Sequence, residues 1–228
     1  MSADLVIIRP APGAGRTARA ARANGLMPIV HSLFEAKPLR WEPPDPALYD
    51  ALIVSSATAL RLGGPALTAL QTLPVHAVGA ATASAARALG FNVAMVGDAG
   101  IETLAHELAR PTPQRFLRLA GRQHIELVEP GMLIDTAIVY AVDPVPMPPA
   151  LRERLAKGAV TVALHSPRAA RHFAAECDRL GLGRKDIALA ALSENVADAA
   201  GGGWRHVATA DAPEDARLLS AATHGARP

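Results

Sequence analysis

The chain is 228 residues long and half of it is hydrophobic, enough apolar material for one large core or two modest ones. Its 23 Lys and Arg against 21 Asp and Glu leave a formal charge of +2, and the four Phe, two Tyr and two Trp are scattered. That excludes a nucleic-acid partner, which calls for basic clusters interleaved with stacking aromatics, and the single cysteine, Cys177, excludes a disulfide framework and a multi-cysteine zinc site.

The chain opens with an apolar run, Met1 to Ile8, that reaches Arg9 and Pro10 with neither a basic leader nor a small-residue cleavage pattern. No segment approaches membrane-spanning length, so a cytoplasmic protein without a membrane partner is expected. Leu5 to Ile8 reads as the first buried strand and Thr17 to Asn24 as the helix after it, closed by Gly25. Pro28 to His31 is the next strand, and Phe34 to Leu39 an extended connector leading into the Pro-rich stretch Arg40 to Pro46.

The pattern then restarts. Ala51 to Val54 is a strand ending at Ser55 and Ser56, with a helix from Ala57 to Leu62. Val75 to Val78 repeats the layout, followed by Gly79, Thr82 and a helix to Leu89. Next come strand Phe91 to Val96, helix Ile101 to Leu108, strand Phe116 to Leu119, a helix over Gln123 to Met132 broken near Pro130, and the extended segment Ile138 to Val142. After the Pro-rich run Asp143 to Pro149 follow helix Ala150 to Ala156, strand Val160 to Leu164 and the turn His165-Ser166-Pro167. Ile187 to Ala190 with Ser193, His206 to Thr209 and a helix from Pro213 to Thr223 close the series.

Strands alternating with helices predict an α/β fold of parallel sheets flanked by helices. Leu52-Ile53-Val54-Ser55-Ser56-Ala57 echoes Val162-Ala163-Leu164-His165-Ser166-Pro167, which points to two similar lobes. The connectors divide the chain into a discontinuous first lobe, residues 1–33 plus 143–228, and a second lobe, 40–134, with linker strands at 34–39 and 135–142.

Ligands of parallel sheets bind beyond the carboxyl ends of the strands, where helix N-termini favour anions. Here those turns carry Ser55, Ser56, Thr82, Ser166 and Ser193. Each hydroxyl taken singly is a helix cap, and their recurrence predicts an anionic ligand in a cleft between the lobes. Gly13-Ala14-Gly15 with Ala18 matches a relaxed dinucleotide fingerprint, but no acidic residue closes the second strand, and Pro10 and Pro12 crowd the turn, so a flexible loop is expected instead. The eight histidines show no zinc-site pairing, and Ser166 lacks the glycines of a nucleophile elbow. Asp98, Glu102, Glu126, Glu129 and Asp135 read as solvated surface, and Cys177 as inert packing. Tyr140 stands in an aliphatic strand, where its phenol either donates into a cleft or packs with its hydroxyl at the surface.

Together, Ile8-Arg9-Pro10, Ala51-Leu52-Ile53-Val54-Ser55-Ser56, Ala77-Val78-Gly79 with Thr82-Ala83, Val139-Tyr140 and His165-Ser166-Pro167 resemble, in order and spacing, the uroporphyrinogen-III synthase family across nearly the whole chain. The resemblance implies a cofactor-free lyase that cyclises hydroxymethylbilane to uroporphyrinogen III, with loss of water and inversion of ring D. It also implies two α/β lobes joined by a two-stranded ladder with the substrate between them, a monomeric state and a transient contact with hydroxymethylbilane synthase. By position, Tyr140 matches the family tyrosine proposed to assist departure of the hydroxyl. Arg9, Ser55, Ser56, Thr82, Gly121, Arg122, Ser166 and Ser193 match substrate-binding positions, and Arg118 adds charge nearby. The sequence departs from the family pattern at Ile8, at Ala120 before Gly121, and at Val196, which bears on the Arg118 and Arg122 contacts and on any hydroxyl role near Val196. Two other readings stay open from the residues: a non-catalytic two-lobed protein that closes on a small anion, and a nucleotide-dependent oxidoreductase using Gly13 to Ala18.

Overall fold

A computed structural model describes residues 4–224, so Met1 to Ala3 of the opening apolar run lie outside the described residues. In chain order the elements are β1 (Asp4–Ile7), α1 (Gly13–Ala23), β2 (Met27–Val30), β3 (Phe34–Pro38), β4 (Ala51–Val54), α2 (Ala57–Leu62), β5 (Val75–Val78), α3 (Ala80–Ala88), β6 (Val93–Gly97) and α4 (Ile101–Leu108). They continue with β7 (Gln114–Gly121), β8 (Met132–Pro144), α5 (Pro149–Ala156), β9 (Val160–Leu164), α6 (Pro167–Arg179), β10 (Ile187–Ala191), α7 (Glu194–Ala200), β11 (His206–Thr209) and α8 (Asp215–His224). No helix among the described residues is long and apolar enough to cross a membrane.

The chain divides into two compact units, Met1–Glu35 with Pro144–Pro228, and Ala36–Asp143. The first holds a five-stranded sheet in the order β11-β10-β9-β1-β2, parallel throughout. Its central strands are apolar and buried on both faces, as a sheet covered on two sides requires, whereas the edge strands β2 and β11 are partly exposed. On one face Ala14, Ala18 and Ala21 of α1 and Leu218, Leu219 and Ala222 of α8 pack on Leu5, Ile7, Ala163 and Ala190. Helix α1 ends in a Schellman turn: Gly25 at φ 74° lets its own N–H reach the Arg22 carbonyl and the Leu26 N–H reach that of Ala21.

The second unit carries most of a six-stranded sheet in the order β3-β8-β7-β4-β5-β6. Helices α2 and α3 cover one face through Ala59, Leu60, Ala83 and Ala86, with Leu52, Leu117 and Leu119 beneath. Helix α4 covers the other through Ile101, Leu104, Ala105 and Leu108, spaced to form one stripe, against Ile53 and Phe116.

One element expected from the sequence does not form. Gln123 to Met132 forms no helix; residues 122–131 are an irregular crossover joining two parallel strands, β7 and β8. Ten residues are too few for a strand-helix-strand return. The segment is also short of helical bonds: Pro130 has no N–H to give, and the Ile125 carbonyl is held by Arg118. Strands β7 and β8 are both longer than the apolar runs suggest, because polar residues such as Arg115, Arg118 and Asp135 sit within the ladder.

Candidate active site

Each sheet contains one point where the order of strands reverses. In the first unit the chain builds outward from β1 to β2 and, later, from β9 to β10 and β11, so the reversal lies between β1 and β9, where Ile7 pairs with Ala163. In the second it lies between β4 and β7, where Val54 pairs with Leu119. Beyond the carboxyl ends of such strand pairs the two connections part in opposite directions and leave a crevice for a ligand.

At the first reversal the chain leaving β1 presents Arg9, and the chain leaving β9 presents His165 and Ser166. The Arg9 guanidinium lies against Gly13, where a Cβ would come within 2.5 Å of Nε, so any larger residue there would displace the arginine head. Its Nη1 donates to Asp215 at 3.1 Å, and the Thr17 hydroxyl donates to the same carboxylate at 2.7 Å. His165 Nε2 stands 3.5 Å from both Thr17 Oγ1 and Asp215 Oδ1, while its Nδ1 is buried without a partner among the described residues. Burial, reinforced by the Arg9 guanidinium and opposed by Asp215, lowers the His165 pKa to about 4, so the ring is neutral near pH 7.

The glycine-rich segment is therefore not a flexible loop: Gly13 opens α1, and Gly13 and Ala14 are buried in its first turn. Ser166 caps α6, accepting from the Ala169 N–H at 3.2 Å. Ser193, one strand further along, is the N-cap of α7 but its side chain makes no cap bond.

At the second reversal Ser55 and Ser56 follow β4. The Ser56 hydroxyl caps α2, accepting from Thr58 at 3.2 Å, and Ser55 is half-buried beside it. Thr82 lies one strand away, buried in the first turn of α3, and its N–H is already taken by the Gly79 carbonyl at 3.1 Å, so it offers no free main-chain donor. Across the crevice, a shift of register between Ala120 and Gly121 sets Gly121 opposite Tyr140. The tyrosine ring rests on that glycine: a Cβ on Gly121 would lie 2.6 Å from Tyr140 Cζ and 3.0 Å from its hydroxyl. Tyr140 is half-buried, and its hydroxyl has no hydrogen-bond partner among the described residues. The Arg122 N–H donates to the Tyr140 carbonyl at 2.8 Å, fixing the start of the crossover, while its side chain stands 3.6 Å from Asp143 at the surface. Arg118 is 2% exposed and donates through Nη1 to the Ile125 carbonyl at 2.7 Å.

The sequence brings forward Arg9, Tyr140 and the hydroxyl turns but misses Thr17 and Asp215. Thr17 carries a faint signal, a hydroxyl on the alanine face of α1. Asp215 carries none, being 206 residues from Arg9. Two of the carboxylates read as surface are engaged elsewhere: Asp135 with Tyr49 at 2.9 Å and Arg115 at 2.8 Å, and Glu129 with His106 at 3.2 Å. Cys177 is buried, which pushes its thiol up to about 12 and leaves it inert.

The sequence model of the uroporphyrinogen-III synthase HemD family matches residues 15–220. No curated protein matches the sequence. Among solved structures, uroporphyrinogen-III synthetase from Helicobacter pylori 26695 is 17% identical over 98% of this chain and 99% of its own, with a TM-score of 0.64. A mutant uroporphyrinogen III synthase from the extremely thermophilic bacterium Thermus thermophilus is 18% identical over 98% of this chain and 97% of its own, with a TM-score of 0.49. The Helicobacter structure shares the fold of parallel sheets flanked by helices. Because the family match spans all but the two ends of the sequence, the chain belongs to the uroporphyrinogen-III synthase family, enzymes of tetrapyrrole biosynthesis.

Proposed function

We propose that the protein is a cyclising lyase that converts hydroxymethylbilane to uroporphyrinogen III, and that Tyr140 is its catalytic residue. The observation that carries the assignment is the Tyr140 hydroxyl, held against Gly121 at the second strand reversal with no hydrogen-bond partner among the described residues. In this reading the phenol donates a proton to the departing hydroxyl, which leaves as water while the adjacent pyrrole nitrogen supplies the electron pair. The resulting azafulvene is attacked by the substituted carbon of ring D to give a spiro intermediate, which reopens and closes with ring D inverted. The last carbon to bond releases its hydrogen as a proton, which restores the phenol. The net change is loss of one water.

The free chain end would otherwise attack through its unsubstituted carbon and give the symmetrical isomer, so the protein's task is positional. The substrate's acetate and propionate groups are assigned to Arg9, Arg122, Ser55 and Ser193, and to main-chain N–H groups at Ser56 and Ser166, whose hydroxyls serve as caps. Gly121 contributes by leaving room for the tyrosine ring. A cytoplasmic monomer that receives the bilane from hydroxymethylbilane synthase completes the proposal. Coupling the purified protein to a source of hydroxymethylbilane and separating the oxidised porphyrins tests it. The type III isomer is expected to dominate, and type I alone would sink the reading, leaving at most a binding role.

A further inference from the structure

Among the described residues two charged side chains are buried, Glu176 and Arg118, and they differ in one respect. Glu176 is matched: Arg179 donates to it twice at 2.7 Å and the Met147 N–H at 2.6 Å. Among the described residues Arg118 has no carboxylate within ion-pair distance, one hydrogen bond to a neutral carbonyl, and a buried Nε with no partner at all. Glu102 in the first turn of α4 and Tyr140 act on its charge electrostatically without touching it, and burial lowers its pKa.

A guanidinium taken from water without an anion is among the costliest groups a core can hold, and an apolar side chain of similar length would be as stable or more so. A merely structural Arg118 would be a pin on the crossover through the Ile125 carbonyl. That explains one of its nitrogens and not the orphaned Nε. Its place is also specific: it is paired in register with Ile53 of β4 and Thr136 of β8, at the strand reversal and three residues before Gly121.

We infer that Arg118 is an oxyanion receptor that takes a carboxylate of the ligand through Nε and an adjoining Nη, the two-pronged geometry natural to guanidinium. The inference rests on the proposed function for the identity of the ligand, a multiply carboxylated bilane. The residue binds and positions substrate; it transfers no proton.

The test compares the wild type with Arg118→Met and Arg118→Lys in two measurements. In the coupled isomer assay the Met variant is expected to raise KM about 10- to 100-fold with kcat little changed, and the Lys variant, which keeps the charge and loses the fork, to fall between. In thermal melts the Met variant is expected to melt at or above the wild-type temperature. Benzenehexacarboxylate, a compact polycarboxylate probe, is expected to raise the wild-type midpoint by about 2–4 °C and leave the Met variant unmoved. An unchanged KM with a lowered midpoint in the Met variant overturns the inference in favour of the pin, as does failure of both variants to fold. If the wild type yields only type I porphyrin yet the probe stabilises it and not the Met variant, the synthase reading fails and the receptor stands. Absence of any probe effect on the wild type, with KM unmoved in the variants, removes the receptor alone.

Discussion

The two strand reversals are built on the same plan and furnished in opposite ways. In the first unit the charges are matched: one carboxylate, Asp215, receives Arg9 and Thr17, and His165 stands beside it, neutral, with only its Nδ1 lacking a partner among the described residues. In the second the Tyr140 hydroxyl and the Arg118 Nε have no partner among the described residues. A matched ion pair is a stable element of the fold, whereas a buried cation such as Arg118, without an anion, has already lost its water before any ligand arrives.

Four changes break or sharpen that contrast. The largest effect is expected from Tyr140→Phe, which removes the unpaired hydroxyl and leaves the ring on Gly121. Type III formation should slow by about 10²- to 10⁴-fold with an unchanged melting temperature. Undiminished turnover would strip the tyrosine of its role. Gly121→Ala places a methyl where the Tyr140 ring now lies, so a loss of about 10²-fold in kcat/KM is expected even though the hydroxyl remains. Asp215→Ala should instead be read in stability, because it leaves Arg9 without its carboxylate and Thr17 with only the Gly13 carbonyl to receive its hydroxyl; a cost on the order of 2 kcal/mol is expected from denaturant titration. A larger fall in activity than in stability would show that Asp215 holds Arg9 in place for the substrate carboxylate assigned to it.

The smallest effect concerns pH. His165 takes up a proton less readily folded than unfolded, so the unfolded state binds more protons between about pH 6.5 and about 4. Stability should therefore be full above pH 6.5 and decline as the pH falls toward 4, flattening below. In His165→Gln that part of the decline should vanish from melts recorded across the same range, and a persistent slope would assign it to other groups.

Much of the architecture is legible from local chemistry. Helix α4 announces itself because Ile101, Leu104, Ala105 and Leu108 make one stripe, and β4 because four apolar residues end at a serine pair. The crossover at 122–131 misleads for a physical reason: its apolar residues, Ile125, Leu127 and Val128, approximate a helical stripe, yet only Leu127 is buried. The site is legible by residue and not by contact. Gly121 and Tyr140 both stand out in the sequence, but their juxtaposition depends on a register shift between β7 and β8 that no local pattern encodes. Thr17, His165 and Asp215 come together from three distant segments, and only the packing of α1 and α8 on a common sheet reveals it.

The insertion of Ala36–Asp143 between the two halves of the first unit sets an order of assembly. Strand β1, apolar along nearly its whole length, has β9 as one neighbour in the sheet, and β9 begins only at Val160. At about 5–20 residues per second of synthesis, β1 waits roughly 8–30 s for that partner, while the inserted unit already has every strand but the start of β3 and the last residue of β8 within itself. The nascent chain thus carries a sticky apolar segment, open along one edge, while the whole inserted unit is being made. It is the late-folding half that holds Arg9, so the enzyme's last maturation step is the completion of a sheet around its first strand.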